Sequence, residues 1–480
     1  MKRVLVISYY WPPSGGSGVQ RWVKFAKYLP AEGWQPVVYV PENPSYDLLD
    51  PSLAEEIPPE AEVLRHRICE PYAAYRRLMG RGASTDMKTL TEVTPISSGR
   101  KSWKQRLSLW VRGNFFVPDP RRGWVRPSVR FLKKHLREHP VDIIVTTGPP
   151  HSMHLIGQRL HAALGTPWIP DFRDPWTKMY YLKHLPMTRR TWRRLEKMEQ
   201  AVLDECSTVL AVTPAVQADF AARTRTPVAM ITNGYDETDF ADPHVGLRPP
   251  QDDSVVIPSE ARNLFTLSHT GLFAADGNPL ALWKVLGGMA EEDSLFRAKL
   301  SLRLSGKVDR AVLDAIAAAG LSDRVVNLGY VDHATAVQEQ RAATVLLLPL
   351  RNDPEYKPIL PGKLFEYLAA RRPVLGIGQE DGAMAAVLRE TEAGVMCDWE
   401  NETAIRAFLT RSWETFREQG SVPPTTGPVE KYSRRNLTHE LAALLDRCAA
   451  AARPVSSAFA AEMPQEADFM QTRAPKRPKS

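Results

Sequence analysis

The chain has 480 residues, of which 43% are hydrophobic and 24% are charged. This composition is ordinary for globular proteins and excludes a wholly disordered chain, a collagen-like repeat and a long coiled coil. The net charge of +7 is modest, but the segment from Lys101 to Lys134 holds ten lysines and arginines against one acidic residue. At roughly 100–200 residues per domain, the length predicts two large domains.

The cysteines and the apolar runs indicate a cellular compartment. Four cysteines are scattered along the chain, without a CxxC pair and without zinc-like Cys/His spacing. The amino-terminal apolar run is too short for a signal peptide, and no stretch approaches the roughly 18 uninterrupted apolar residues of a membrane span. We therefore expect a reduced, cytoplasmic protein without a metal site.

In the first half of the chain, short apolar runs alternate with helical patterns. The predicted strands are Val4–Ser8, Val37–Val40, Ile143–Thr147, Trp168–Asp171, Thr208–Val212 and Val228–Ile231. A helix is predicted from Val19 to Leu29. This alternation predicts a parallel sheet with helices on both faces.

A second series of the same kind follows a Pro- and Asp-rich stretch. Its predicted strands are Leu264–His269, Leu300–Leu304, Val325–Leu328, Val345–Leu348, Val374–Ile377 and Val395–Cys397. Its predicted helices are 279–289, 309–319, 332–341, 362–370, 381–390 and 402–417. The sequence thus predicts an α/β protein with two Rossmann-like, doubly wound parallel-sheet domains that face a cleft, where such sheets bind ligands.

The domain boundaries follow from these patterns and from the changes in composition between them. We expect an amino-terminal domain over 1–240, with a basic aromatic insertion at about 70–135, a linker over 241–262, a second domain over 263–430, a helix over 431–452 and a disordered tail over 453–480.

A glycine-rich turn separates the first strand from the first helix. In Ser14-Gly15-Gly16-Ser17-Gly18, small residues would let backbone N–H groups approach an anion at the helix N-terminus. The spacing is not GxGxxG, and no acidic residue ends the second strand, so a nicotinamide cofactor is disfavoured. An ordinary tight turn is the alternative interpretation.

The segment Pro361-Gly362-Lys363-Leu364-Phe365-Glu366 opens a predicted helix after a strand. A lysine in the first helical turn opposes the helix dipole unless an anion lies beside it. Lys363 and Glu366 are three residues apart and share a helix face, so a cation for phosphates would lie next to a carboxylate for sugar hydroxyls. A surface ion pair between the two is the alternative.

Three further motifs follow predicted strands of the first series. His151, in Thr147-Gly148-Pro149-Pro150-His151-Ser152, is a candidate base, although a structural loop histidine is equally compatible with the pattern. In Asp171-Phe172-Arg173-Asp174 the carboxylates either pair with the arginine or leave Asp174 to face an acceptor hydroxyl. The Asn233-Gly234 dipeptide indicates a turn.

The basic stretch 101–134 also carries Trp103, Trp110, Phe115, Phe116 and Trp124, and Trp192, Arg193 and Arg194 extend its character. Cations interleaved with aromatic rings suit an anionic membrane surface. No nucleic-acid-binding motif accompanies them, so a nucleic-acid partner is not expected. A solvated insertion is the alternative.

Together these motifs resemble bacterial glycosyltransferases of the family-4 type with the GT-B fold, over roughly residues 2–450. The resemblance is carried by YYWPPSGGSGVQRWVKFAKYL, DFRDPW, NGYD and PGKLFEYLAARRPVL. It implies retaining transfer from a nucleotide-sugar without an obligatory metal, with the acceptor in the first domain and the donor in the second. The helix after Tyr432 would return to the first domain.

The resemblance also implies roles for individual residues. Glu366 matches the second glutamate of the family's EX7E motif near the donor ribose, Gly16 matches the glycine loop near the donor phosphates, and His151 matches a cleft residue beside the reacting sugar. The catalytic candidates are therefore His151, Asp174 and Glu366. The donor-binding candidates are Gly15, Gly16, Gly271, Asn278, Lys307, Lys363 and Glu366.

The chain departs from the family pattern at three positions. Pro358 stands where the family often has the first glutamate of its motif, and Leu272 and Gly277 stand near the places of an arginine and a lysine that hold the diphosphate. We expect Lys307 and Lys363 to supply that charge instead.

The predicted function is transfer of a sugar from a UDP- or GDP-linked donor to a saccharide or lipid-linked acceptor in cell-envelope, lipopolysaccharide or exopolysaccharide synthesis. The donor is a co-substrate, no cofactor is expected, and the enzyme would be peripheral at the inner face of the cell membrane. The alternatives are a nucleotide-sugar epimerase, a catalytically silent nucleotide-sugar-binding partner protein and, least favoured, a nicotinamide oxidoreductase.

Overall fold

The structure is a computed structural model that describes residues 1–46, 48–68, 103–179, 182, 185–241 and 264–451. The predicted tail, nearly all of the predicted linker and residues 70–102 of the predicted insertion lie outside these residues. The described residues form two parallel sheets with helices packed against them.

The first sheet has seven strands: β1 (Lys2–Ile7), β2 (Trp34–Pro41), β3 (Glu62–His66), β4 (Ile143–Gly148), β5 (Trp168–Phe172), β6 (Val209–Ala211) and β7 (Val228–Met230). They are parallel, in the order β3-β2-β1-β4-β5-β6-β7. The helices of this half are α1 (Ser17–Tyr28), α2 (Trp103–Phe115), α3 (Arg122–Glu138), α4 (Ser152–Leu164), α5 (Arg189–Glu205), α6 (Pro214–Ala221) and α7 (Glu237–Ala241). The strand order reverses between β1 and β4.

The second sheet has six parallel strands: β8 (Phe265–Thr270), β9 (Leu300–Ser305), β10 (Val325–Gly329), β11 (Val345–Pro349), β12 (Val374–Ile377) and β13 (Gly394–Cys397). Their order is β10-β9-β8-β11-β12-β13, with the reversal between β8 and β11. The helices are α8 (Leu280–Glu292), α9 (Ser294–Lys299), α10 (Arg310–Ala318), α11 (His333–Ala342), α12 (Gly362–Ala370), α13 (Ala383–Glu390), α14 (Glu402–Gln419) and α15 (Arg434–Ala451).

The predicted fold class is confirmed, because both sheets are doubly wound and parallel. The central strands have buried side chains on both faces, so they read as continuous apolar runs: Val4, Leu5, Val6 and Ile7 are each at most 1% exposed. Two short elements escaped the sequence analysis. The strand β3 lies at the sheet edge and contains Glu62, Arg65 and His66, so it has no apolar run, and α9 has only six residues.

The last helix, α15, belongs to the core of the first half although it follows the second sheet. Leu437, Leu441 and Leu445 are buried in a cluster with side chains of α1 and β1. The segment before the helix pairs with the end of the first half, since Tyr235 N donates to the Tyr432 carbonyl at 3.0 Å. At Gly234 a Cβ would lie 2.1 Å from that carbonyl oxygen, so a side chain there would prevent this approach.

Among the described residues, every helix is too short or too polar to cross a lipid bilayer.

Candidate functional site

A cavity of about 1310 Å³ lies between the two halves, at the carboxyl ends of the strands. Its wall includes residues that follow β1, β8 and β11, which are strands at the two points of order reversal. Ligands of open parallel sheets bind at such points. The volume exceeds the roughly 300–1,000 Å³ of most ligand pockets, so the cavity has room for two substrates together.

The cavity brings together five of the nine site residues that the sequence suggested. The five on its wall are Gly16, Asp174, Gly271, Lys363 and Glu366. The other four do not line it: Gly15, His151, Asn278 and Lys307.

Lys363 lies in the first turn of α12, with its ammonium group against the backbone of Gly271. A Cβ at Gly271 would be 2.2 Å from Lys363 Nζ, and Gly271 has a φ of +103°, so glycine provides both the backbone angle and the space. Within the described residues Lys363 makes no hydrogen bond or ion pair. Burial lowers the pKa of Lys363 to about 8, and the nearby Glu366 carboxylate opposes that change. Within the described residues, this half-buried cation therefore faces the cavity without a hydrogen-bonded or ion-paired partner, with Glu366 as a nearby negative charge.

Glu366 follows one turn later on α12. Gln340 Nε2 donates to Glu366 Oε2 at 2.8 Å and to Thr270 Oγ1 at 3.1 Å, so this amide joins α11, α12 and the end of β8. One carboxylate oxygen is thus fixed, and the other has no hydrogen bond within the described part of the chain and can accept from ligand hydroxyls. Sequence reasoning missed Gln340, because nothing in the α11 pattern distinguishes a glutamine that contacts another helix.

The two glycines of the glycine-rich turn, Gly15 and Gly16, have different roles. Gly16 has a φ of +83° and lines the cavity at the start of α1, where no side chain caps the helix. The first N–H groups of α1 therefore remain available to an anion. Gly15 packs against the neighbouring loop instead: its N–H donates to the Leu48 carbonyl at 2.9 Å, and a Cβ would meet Leu48 at 3.0 Å.

In the Asp171–Asp174 motif, Asp171 pairs with an arginine from outside the motif and not with Arg173. Asp171 is fully buried and accepts from Arg21 Nε and Nη2 at 3.1 Å, from Trp22 Nε1 at 2.7 Å and from Thr147 Oγ1 at 3.0 Å. Its partner is thus Arg21 of α1, because Arg173 points to the carbonyls of Gly18 and Pro149.

Asp174 lines the cavity and makes no hydrogen bond within the described residues. Burial raises the pKa of its carboxyl group, and Arg173 acts in the opposite direction. A carboxylate of raised basicity beside an open cavity is able to accept a proton from a bound hydroxyl.

His151 lies inside the protein rather than on the cavity wall. It is 3% exposed, its ring stacks on that of Trp176 with centroids 5.0 Å apart, and neither ring nitrogen has a hydrogen-bond partner within the described chain. Burial, followed by the neighbouring His154 and Arg173, holds the pKa of His151 well below its usual range. The ring is therefore neutral and separated from any ligand in the cavity.

Two further predicted donor residues serve local structure. Asn278 Oδ1 accepts from Trp283 Nε1 at 2.7 Å, and its amide donates to the Ala311 carbonyl at 3.1 Å. Lys307 is exposed, and its carbonyl accepts from Phe273 N at 2.9 Å. On the cavity wall, Leu272, Gly277 and Pro358 occupy the positions where the sequence departs from the family pattern.

An acidic cluster beside the cavity already contains a cation. The carboxylates of Glu56, Asp236 and Asp239 lie within 4.8 Å of one another, and this is the one such group among the described residues. Lys24 Nζ lies 2.5, 2.8 and 3.0 Å from their oxygens. Burial disfavours the charged form of Lys24, but the three carboxylates outweigh it and raise its pKa. The ammonium group occupies the place that a metal ion would take.

Among the described residues, a titratable pair joins the two halves across the cavity. His333 Nε2, at the start of α11, lies 3.3 Å from Asp239 Oδ2 of α7. The hydrogen bond to Asp239 raises the pKa of His333, against the effect of burial. Sequence patterns do not reveal this contact, because the two residues lie in different halves.

Two family models match segments of the two halves. The model described as Glycosyltransferase Family 4 matches residues 91–239, and that of Glycosyl transferases group 1 matches residues 285–414. Together they cover more than half of the chain. A search of curated proteins found no match.

Solved structures share the fold at low sequence identity. A glycosyltransferase from Rickettsia africae has a TM-score of 0.54 at 12% identity, over 93% of this chain and 98% of its own. The structure described as trehalose-6-phosphate from E. coli bound with UDP-2-fluoro glucose has a TM-score of 0.51 at 12% identity, over 94% and 98%. A putative UDP-N-acetylglucosamine 2-epimerase from Listeria monocytogenes has a TM-score of 0.51 at 11% identity, over 93% and 96%.

Proposed function

Because this chain belongs to the group 1 glycosyltransferases of the family-4 type, with the GT-B fold, we propose that it moves a sugar from a UDP- or GDP-linked donor to a saccharide or lipid-linked acceptor. The observation that carries the proposal is the unpaired Lys363 ammonium in the cavity between the halves. A diphosphate supplies the negative charge that this half-buried cation lacks.

The proposed chemistry assigns the second half to the donor. Lys363 and the start of α12 stabilise the charge that develops on the leaving diphosphate, which is the kind of electrostatic effect that dominates many enzymes. Glu366, fixed through one oxygen by Gln340, accepts hydrogen bonds from the ribose hydroxyls with the other. Gly16 and the uncapped N–H groups of α1 approach the phosphates from the opposite wall.

The first half receives the acceptor in this proposal. Asp174 is the carboxylate on that wall without a hydrogen bond to described residues, so it is placed to take the proton of the attacking hydroxyl. Retention of the anomeric configuration and independence of metal ions are further parts of the proposal. Product stereochemistry by NMR and activity in EDTA test them, and the role in cell-envelope or exopolysaccharide synthesis depends on which acceptor is used.

A thermal-shift titration with UDP, GDP and their sugar conjugates tests donor binding. At 100 times its dissociation constant, a bound nucleotide adds about 2.7 kcal/mol of stability. We expect this stabilisation in the wild type and in Lys357→Met, because Lys357 pairs with Asp381 outside the cavity. We expect it to be lost in Lys363→Met. Equal shifts in both variants would remove Lys363 from the donor site, and no shift with any nucleotide would overturn the proposal.

Epimerisation is the second candidate function, since an epimerase shares the architecture. Chromatography of the products separates the two activities. An epimerase converts the nucleotide-sugar in the absence of acceptor, whereas a transferase releases free nucleoside diphosphate when an acceptor is added. Nucleotide binding without either product across a broad acceptor panel would instead indicate a silent binding protein. In a transferase, Glu366→Ala lowers turnover strongly.

A further inference from the structure

A second concave surface lies outside the cavity just described, between α4 and α5. It has a volume of about 750 Å³, and its apolar part is formed by Leu155, Met198 and Ala201. Its rim carries five exposed cations. These are Arg189, Arg190, Arg193, Arg194 and Lys197. We call this surface the basic groove.

Within the described residues, none of the five cations of the basic groove forms an ion pair. Two acidic side chains of α5 have other partners. Glu196 accepts from Trp192 Nε1 at 2.7 Å, and Glu205 accepts from Gln158 Nε2 at 2.9 Å. Like charges held together on one face repel each other, so this arrangement favours an external anionic surface.

The positive surface continues beyond the groove along α4 and onto α3. Arg122 and Arg126 lie on α3 and Arg159 on α4, and none of the three is ion-paired within the described chain. Burial, and then the charges of Arg194, Arg159 and Arg126, lower the pKa of Arg122, which indicates that these guanidinium groups are close together.

Exposed apolar side chains lie beside the groove on α2. Leu107, Trp110 and Phe115 are 51%, 40% and 66% exposed. Asn114 ties this helix to the start of α5, because its Oδ1 accepts from Thr188 N and its Nδ2 donates to the Pro186 carbonyl, at 2.8 and 2.9 Å. The apolar side chains of α2 and the cations of α5 therefore lie on two helices that contact each other.

The structure shows which aromatic residues of the 101–134 stretch are exposed and can contact a membrane surface. Trp124 is 0% exposed and stacks on Tyr39 with centroids 4.9 Å apart, so it belongs to the core. Of the expected set, Trp103, Trp110 and Phe115 remain on the surface. Within the described residues, a group of five cations without ion pairs lies at 189–197 instead, brought next to α2 by the fold.

We propose that the basic groove and the exposed side of α2 dock together on an anionic phospholipid surface. Arginines bind the lipid phosphates, the apolar part of the groove meets acyl chains near the headgroups, and Trp110 and Phe115 enter the interface. The combination of exposed rings with cations favours a membrane over a nucleic acid, which would leave those rings without an apolar partner.

This docking would define the side from which a lipid-linked acceptor enters. Trp192 lies on the same helix as the five cations but lines the cavity between the two halves. A membrane bound at the groove therefore lies beside the acceptor side of the cavity. This docking would place the proposed function at a membrane. Its test measures membrane binding and needs no transfer reaction.

Vesicle co-sedimentation of the full chain tests the proposal. We compare neutral phosphatidylcholine vesicles with vesicles that contain about a third of anionic phosphatidylglycerol, and we measure the wild type, Arg193→Gln/Arg194→Gln and Arg411→Gln/Arg417→Gln. The last variant loses the same charge from exposed positions of α14. Because each cation near an anionic surface contributes about fivefold to binding, we expect the groove variant to bind about 25-fold more weakly and the α14 variant to bind like the wild type.

A third variant, Trp110→Gln, tests the apolar contribution, and we expect it to bind anionic vesicles several-fold more weakly at unchanged charge. Equal losses in the groove and α14 variants would overturn the proposal, because they would reflect net charge alone. So would equal binding of the wild type to both vesicle types, or wild-type binding by Trp110→Gln. Nucleotide thermal shifts in the same variants, expected to be unchanged, report separately on the proposed donor site.

Discussion

At the scale of single residues, the most informative group is a lysine that makes no hydrogen bond or ion pair within the described part of the chain. Lys363 is held against Gly271 in a partly buried position, where burial lowers its pKa to about 8. Removing an ammonium group from water is unfavourable unless an anion compensates. Such a group in a cavity lowers the stability of the folded protein but favours the binding of an anion, a combination that is common at functional sites.

The pKa of Lys363 predicts how nucleotide affinity depends on pH. The charged form binds the diphosphate, so affinity is full below pH 8 and falls as the pH rises through about 8. Isothermal titration of the nucleotide that stabilises the protein, between pH 7 and 9.5, measures this. Lys363→Arg keeps its charge over the whole range, so its profile is expected to be flat. A wild-type affinity that is constant to pH 9.5 would contradict the assignment.

At the scale of elements, α15 connects the chain end to the first half. Its buried leucines lie in the same cluster as α1 and β1, while Arg447 on its other side is exposed. Arg434 at its start is buried against Phe25 and lines the cavity, so the helix also shapes the site. Burial lowers the pKa of Arg434 to about 9.

Truncation of one leucine tests the contribution of this helix. Leu441 is 0% exposed, so Leu441→Ala is expected to lower the free energy of unfolding of the first half by about 2–5 kcal/mol. Urea denaturation followed by tryptophan fluorescence measures the loss. Arg447→Ala, on the exposed side, is expected to change stability by less than about 0.5 kcal/mol. Similar stabilities for the two variants would show that α15 is not part of this core.

At the scale of the whole molecule, two sheets face each other across a cavity that contains ionic contacts. Three charged groups face His333: Asp239 from α7, Glu366 from α12 and Lys24 from α1. The hydrogen bond to Asp239 raises the pKa of His333 above its ordinary 6.5, so the contact between the halves strengthens on protonation.

This contact predicts a pH-dependent separation of the halves. Its stabilisation is fully present below about pH 6.5 and is lost as the pH rises through the raised pKa of His333. We expect the ligand-free protein to have a smaller radius of gyration at pH 6 than at pH 8.5 in small-angle X-ray scattering. His333→Gln should remove this difference, while His439→Gln, at an exposed histidine of α15, should retain it. An identical radius at both pH values in the wild type would refute the prediction.

The two-sheet architecture follows from the amino-acid pattern, because strands buried on both faces must be continuous apolar runs and helices between them must be amphipathic. Of the site residues that the pattern suggested, five line the cavity, since residues that follow parallel strands meet at one edge of a sheet: Gly16, Asp174, Gly271, Lys363 and Glu366. The edge strand β3 was missed because a half-buried strand does not contain a continuous apolar run.

Which polar groups have partners depends on how distant segments of the chain pack together. His151 follows a strand just as Asp174 does, but its ring packs under Trp176 while Asp174 borders the cavity. The roles of Gln340 and His333, and the joining of α2 to the arginines of α5, depend on contacts between residues far apart in the chain. Local sequence patterns show which residues of a helix or strand are buried. They do not show which distant side chain forms a hydrogen bond or ion pair with a charged group.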